Sequence, residues 1–190
     1  VATGAACDAD SGGVVMKEGE IMTCRERLER VFHELGVPYR VTPHHLAYTA
    51  QEVAMTEHIS GYDVAKVVIV MTDETPVMVV LPAPLRVDLE KVKRAFDAKT
   101  ARLATEKEFA EIFPDCDIGA MPPFGNLYGV TVCVDRSLTV DPEITFKAGS
   151  HRETMTVAYA DFERLVRPRI AEVSISAARE QSIMELGVRR

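Results

Sequence analysis

The residues with the most chemical potential lie in three short stretches. Lys66 stands alone inside the apolar run Val64-Ala65-Lys66-Val67-Val68-Ile69-Val70-Met71. In an extended strand it shares a face with Val68 and Val70. There its ammonium either snorkels from the strand end or projects into a pocket. The second stretch is the loop Gly119-Ala120-Met121-Pro122-Pro123-Phe124-Gly125. Prolines fix φ and glycines admit backbone conformations closed to other residues, so such a loop can present rigid N–H and C=O groups to a ligand. It serves equally well as a tight connection between a helix and a strand. The third is Lys147-Ala148-Gly149-Ser150-His151. Gly-Ser suits a plain hairpin turn; a functional version sets the Gly149 backbone and the His151 side chain beside the same pocket as Lys66.

Other chemistries find little support. The chain contains no GxGxxG, Walker loop, HExxH or GxSxG. His44, His45, His58 and His151 have no carboxylate at helical spacing to complete a metal site, so neither a metal nor another cofactor is expected. Cys7, Cys24, Cys116 and Cys133 form no CxxC pair and read as free thiols.

The elements that must position these residues follow from capping and periodicity. Thr23 with Glu26 makes a capping box, and Leu28, Val31, Phe32 and Leu35 follow at helical spacing until Gly36. Thr49 with Glu52 opens a second, short helix in a region ending at Gly61. Residues 64–71 are apolar on both faces, as a strand covered on both sides requires, and the turn TDETP folds 77–82 back as a hairpin partner. Asp88 caps a helix over 89–97, and Thr105 with Glu108 caps another running to Phe113. YGVTVCV, ITFKA and TMTVAY read as three more strands, and Asp161 is expected to cap a last helix before Pro168. Strands clustered between helices favour an α+β fold. Residues 1–20 read as a disordered tail, 21–170 as one domain, and 171–190 as an appendage, helical from Ser176 onward.

The ordered set VAKVVIV, VVLPAPLRVDLEKV, LATEKEF, GAMPPFG, VCVDRSL and FKAGSH resembles the YbaK/prolyl-tRNA-synthetase-associated domain family, over roughly residues 24–170. The resemblance implies a mixed, partly barrel-like β-sheet flanked by helices, and hydrolysis of the ester between a wrong amino acid and the 3′ end of a tRNA. It matches the family's lysine to Lys66, its Gly-x-x-x-Pro loop to Gly119 through Pro123, and its C-terminal glycine loop to Gly149, with His151 beside it. On that basis Lys66, Gly119, Pro123, Gly149 and His151 are catalytic candidates. Ala120, Met121, Pro122, Phe124 and Ser150 are candidates for holding the amino-acid moiety. No synthetase catalytic signature accompanies them, so the resemblance implies a freestanding trans-editing deacylase. A catalytically silent tRNA- or synthetase-binding module and a hydrolase of small aminoacyl esters remain as alternatives.

A net charge of -7 argues against a uniformly basic nucleic-acid coat but leaves room for a local patch. Residues 86–102 carry six basic and three acidic side chains, whereas 103–118 carry one basic and five acidic. Arg86, Lys91, Lys93 and Arg94 are therefore the candidates for meeting an acceptor stem; a solvated helix face is the plainer alternative. The longest apolar run, Val67–Met71, is far short of the roughly 20 residues that cross a membrane. The first residues lack the basic-then-apolar order of a secretory peptide. A cytoplasmic protein is expected, with tRNA, and a synthetase as a further possibility, as its partners.

Overall fold

The structure is a computed structural model that describes residues 22–176. The expected tail 1–20 and the segment 177–190 lie outside the described residues. Helix α1 (Cys24–Glu34) opens on the Thr23/Glu26 capping box and gives way at Gly36, whose φ of 62° lies in the left-handed region. Strand β1 (Tyr39–Pro43) follows, then α2 (Ala50–Glu57), opened by the Thr49/Glu52 box. α2 stops at His58, itself left-handed, three residues before the glycine expected to end that region.

β2 (Ala65–Thr72) and β3 (Thr75–Pro82) form the predicted antiparallel hairpin, with Lys66 opposite Leu81. Asp73 and Glu74 turn it, both at positive φ, as a two-residue turn requires. The remaining elements are β4 (Leu85–Val87), α3 (Leu89–Ala95), β5 (Ala101–Leu103), α4 (Glu106–Ile112), β6 (Thr131–Asp135), β7 (Glu143–Lys147), β8 (Glu153–Ala158), α5 (Tyr159–Val166), β9 (Arg169–Ala171) and β10 (Ser174–Ser176). Asp88 caps α3 and the Thr105/Glu108 box caps α4, as expected. Asp161 does not cap α5. The cap residue is Ala158, and Asp161 lies inside the first turn, where its charge suits the helix dipole and pairs with Arg164 at 2.8 Å.

The sheets run β5-β2-β3-β6-β9, β1-β8-β7 and β10-β4. The first is mixed: β3–β6 and β6–β9 are parallel, the other pairs antiparallel. Because β5 pairs only with the far end of β2, the near end is open, and a parallel bridge from Val64 to Thr145 joins it to β7. The two larger sheets thus wrap one core in a partly barrel-like α+β arrangement, and no sheet closes into a barrel among the described residues. Residues 171–176 are part of this fold: β9 lies beside β6, and β10 pairs with β4.

Inside the wrap Phe32, Phe124, Phe146 and Phe162 are essentially fully buried, with Phe124 packed on the other three at ring separations of 5.4–5.5 Å. Each such ring contributes about 1.5–3 kcal/mol by leaving water. Val70, Val79, Leu81 and Val92 build a second cluster on the other face of the five-stranded sheet, so β2 and β3 are covered on both sides.

Candidate active site

Two of the three stretches meet directly. Gly149 N–H donates to Ala120 O at 2.8 Å, and Asp117 N–H donates to Gly149 O at 3.0 Å. The loop after α4 is thereby stitched to the turn after β7. His151 completes the contact, its Nε2 3.0 Å from Ile118 O. Both glycines are required by their backbone: Gly119 has φ 80° and Gly149 φ 94°. Around Gly119 a Cβ would meet no heavy atom within 4 Å, so its surface is open to a ligand.

Only the start of the 119–125 loop is accessible. Ile118 and Gly119 are exposed, whereas Ala120, Met121, Pro122, Pro123 and Phe124 are all buried. Phe124, expected at the amino-acid moiety, is a core ring 1% exposed, and Pro122 and Pro123 hold the backbone from inside rather than facing a substrate. Met121 is the exception, because it lines an apolar groove of about 200 Å³ together with Gly119, Val68, Ile69, Leu103 and Phe109. Ser150 is half-buried, and its hydroxyl accepts from Arg152 N–H at 3.4 Å.

Lys66 is half-buried, and its Nζ donates to Ala83 O at 2.9 Å. Burial, with the Arg86 guanidinium as a lesser cause, lowers its pKa from the ordinary lysine value. The side chain shares a face with Val68, near the Arg86 guanidinium, and no hydrogen bond joins it to Gly149 or His151 among the described residues. It is tied to them through a small cluster. Ala83, whose carbonyl holds Lys66, packs with Ala47, Val53 and Val64, and Ala47 N–H donates to His151 O at 3.0 Å.

Lys147, which opens the third stretch, and Tyr48 carry no assigned role in the sequence, yet both meet His151. Lys147 Nζ donates to Tyr48 O at 2.6 Å and lies 3.0 Å from His151 Nδ1, and the residue is 6% exposed. Burial pushes its pKa down to about 8, against a smaller upward pull from Glu52. The Tyr48 ring, largely exposed, sits 5.1 Å from the His151 ring. Alternation in Ile144-Thr145-Phe146-Lys147 places Lys147 on the polar face of β7, which by itself suggests solvent. The α2 region covers that face, and no local signal announces it.

The basic candidates divide. Arg86 and Arg94 are exposed; Lys93 pairs with Glu90 at 3.6 Å. Lys91 is half-buried and donates to Ser174 O at 2.7 Å, so it fastens β10 rather than reaching outward. A cleft of about 760 Å³ lies elsewhere, between α2 and the outer face of the three-stranded sheet. Glu57, Asp63, Asp141 and Glu143 make it acidic, a poor environment for phosphate. His44 and His45 line it.

The profile of the aminoacyl-tRNA editing domain matches residues 44–165, well over half of the chain. The chain belongs to that family. Its matched span includes Lys66, the Gly119 loop, Gly149, His151, Lys147 and Tyr48. Solved structures share the fold. "Hypothetical protein APE2540" superimposes with a TM-score of 0.72 at 21% identity, covering 79% of this chain and 100% of its own. A "putative trans-editing enzyme for prolyl tRNA synthetase" gives 0.71 at 19% identity, covering 83% and 100%. A scaffold used for epitope backbone grafting gives 0.71 at 17%, covering 82% and 99%. No curated protein matches in sequence. No helix among the described residues is long and apolar enough to cross a membrane.

Proposed function

We propose that this editing-family domain acts in trans, in the cytoplasm, as a hydrolase that deacylates a mischarged aminoacyl-tRNA. The observation that carries the reading is the convergence of exposed Gly119, the Gly149 turn and His151 around one opening, next to an apolar groove. The similarity in fold to a protein described as a trans-editing enzyme supports action on tRNA charged by a separate synthetase.

The chemistry needs no strong nucleophile. An aminoacyl ester is activated, so a positioned water and a stabilised oxyanion suffice. Gly119 N–H, which donates to no backbone carbonyl among the described residues, is the donor for the developing oxyanion. The apolar groove of about 200 Å³ beside Gly119 takes the side chain of the amino acid. Such a second sieve is needed because one missing methylene is worth only about 1–3 kcal/mol to a synthetase. Lys66, with spare N–H donors and a partly desolvated charge, holds a phosphate of the acceptor end, with Arg86 beside it. His151 orients the terminal ribose and its water, and the terminal 2′-hydroxyl helps to activate that water.

The test is deacylation of a panel of mischarged tRNAs by the wild type and by Lys66→Ala. Loss of one aminoacyl group faster than spontaneous hydrolysis, abolished in the variant, supports the proposal and names the substrate. A wild type that binds tRNA yet deacylates no member overturns it in favour of an accessory binding module.

A further inference from the structure

We propose that Lys147 is a positioning residue that holds His151 in the Nε2–H tautomer against the Gly119 loop and clamps the Tyr48 segment to the same ring. The inference concerns a residue outside the catalytic set above and rests on that set for its consequence in the reaction. An ammonium has three donors and no acceptor. Lys147 Nζ lies 3.0 Å from His151 Nδ1, so Nδ1 must accept and the ring proton must sit on Nε2. Nε2 is 3.0 Å from Ile118 O, which can only accept; both ends of the ring therefore specify the same tautomer. The chain on either side is fixed as well: Tyr48 O accepts from Lys147 at 2.6 Å, Ala47 N–H donates to His151 O, and the Tyr48 ring packs on the imidazole.

Lys147 also stands where a buried cation is expensive. It is 6% exposed and hydrogen-bonded to a carbonyl and an imidazole rather than to a carboxylate. A methionine of similar length would fill the space without desolvating a charge. What the methionine cannot do is direct the His151 proton. A ring held this way offers Nε2–H as a donor beside Gly119, where a substrate oxygen that displaces Ile118 O would receive it.

The experiment uses the full chain, wild type, Lys147→Met and Lys147→Gln. Long-range 1H–15N correlation spectra report which nitrogen of His151 carries the proton. The wild type is expected as the single Nε2–H form, Lys147→Met as a mixture or the Nδ1–H form, and Lys147→Gln, whose amide still donates, as Nε2–H. In deacylation, Lys147→Met is expected to lose roughly 10- to 100-fold in kcat, with partial recovery in Lys147→Gln. A wild-type His151 protonated on Nδ1, a measurement that needs no variant to fold, overturns the proposal. So does an unchanged tautomer and unchanged kcat in Lys147→Met. If the wild type deacylates nothing, the editing reading fails, while the tautomer spectra still decide the role of Lys147.

Discussion

The α-carbon of Gly149 rests on the side chain of Cys24: a Cβ added there would lie 2.9 Å from Cys24 Cβ and 3.2 Å from its Sγ. The start of α1 is thus packed under the turn that carries half of the candidate site. Sequence separation hides this contact; the neighbouring Cys116 thiol holds the Cys24 pKa below the ordinary thiol value. Gly149→Ala meets two obstacles, a backbone at φ 94° and a contact too short for a methyl group. Each costs about 1–3 kcal/mol. The urea midpoint should fall by the equivalent of about 2–6 kcal/mol, with deacylation reduced because the Gly149–Ala120 hydrogen bond holds the Gly119 loop. A variant as stable as the wild type would show that the turn relaxes away from Cys24.

The pKa of Lys147, near 8 in the folded protein against an ordinary 10.5, makes stability depend on pH in a definite direction. Below about pH 8 the residue is charged in both states and its desolvation weighs against folding throughout. Between 8 and 10.5 the unfolded chain binds more protons than the folded one, so stability rises with pH. The rise attributable to Lys147 is about 2–3 kcal/mol. Lys66, lowered in the same direction, adds to the slope, so the comparison is with Lys147→Met. Urea denaturation at pH 7, 8, 9 and 10 should show the wild type gaining on the variant with each step. Parallel curves would mean that Lys147 is charged and solvated in the fold.

Most of the framework was legible because it is local. The capping boxes at Thr23, Thr49 and Thr105 and the β-branched run at Val64–Met71 act within a few residues, and each produced its element. Asp161 misled for a local reason too: an acid at the third helical position reads like a cap from sequence, and the true cap, Ala158, has no side-chain signal. The site divided along the same line. Gly119 and Gly149 were legible as backbone positions, and their φ values require glycine. Phe124 was not legible as a core ring, because its partners Phe32, Phe146 and Phe162 come from three distant elements. Lys147 escaped for the same reason, its ammonium being held by the Tyr48 carbonyl, almost a hundred residues earlier in the chain.

Tyr48 should recognise a base. Its ring is 64% exposed and backed by His151, an arrangement that leaves one aromatic face for stacking at the rim of the site. Base–aromatic stacking is worth about 1–3 kcal/mol. Tyr48→Ala should therefore raise KM for aminoacyl-tRNA by roughly 5- to 100-fold with little change in thermal midpoint. Tyr48→Phe, which keeps the ring, should behave like the wild type. Equal KM values for all three would remove Tyr48 from the interface.

The basic segment gives a prediction that separates contact from scaffold. A protein of net charge -7 must meet a phosphate backbone through a local patch, and tRNA affinity should fall steeply with salt. Arg86 and Arg94 are the exposed members of that patch. Replacing either by Ala should weaken binding and reduce the slope of log Kd against log salt by about 0.7–1 each. Lys91 belongs to the other category: its bond to Ser174 O holds β10 on β4, so Lys91→Ala should lower the unfolding midpoint and leave the salt slope nearly unchanged. Binding titrations of the three variants from low to high salt, with thermal melts alongside, distinguish the two. A slope unaffected by Arg86→Ala and Arg94→Ala would move the acceptor stem to another face, and a slope reduced by Lys91→Ala would mean that its ammonium leaves Ser174 for a phosphate.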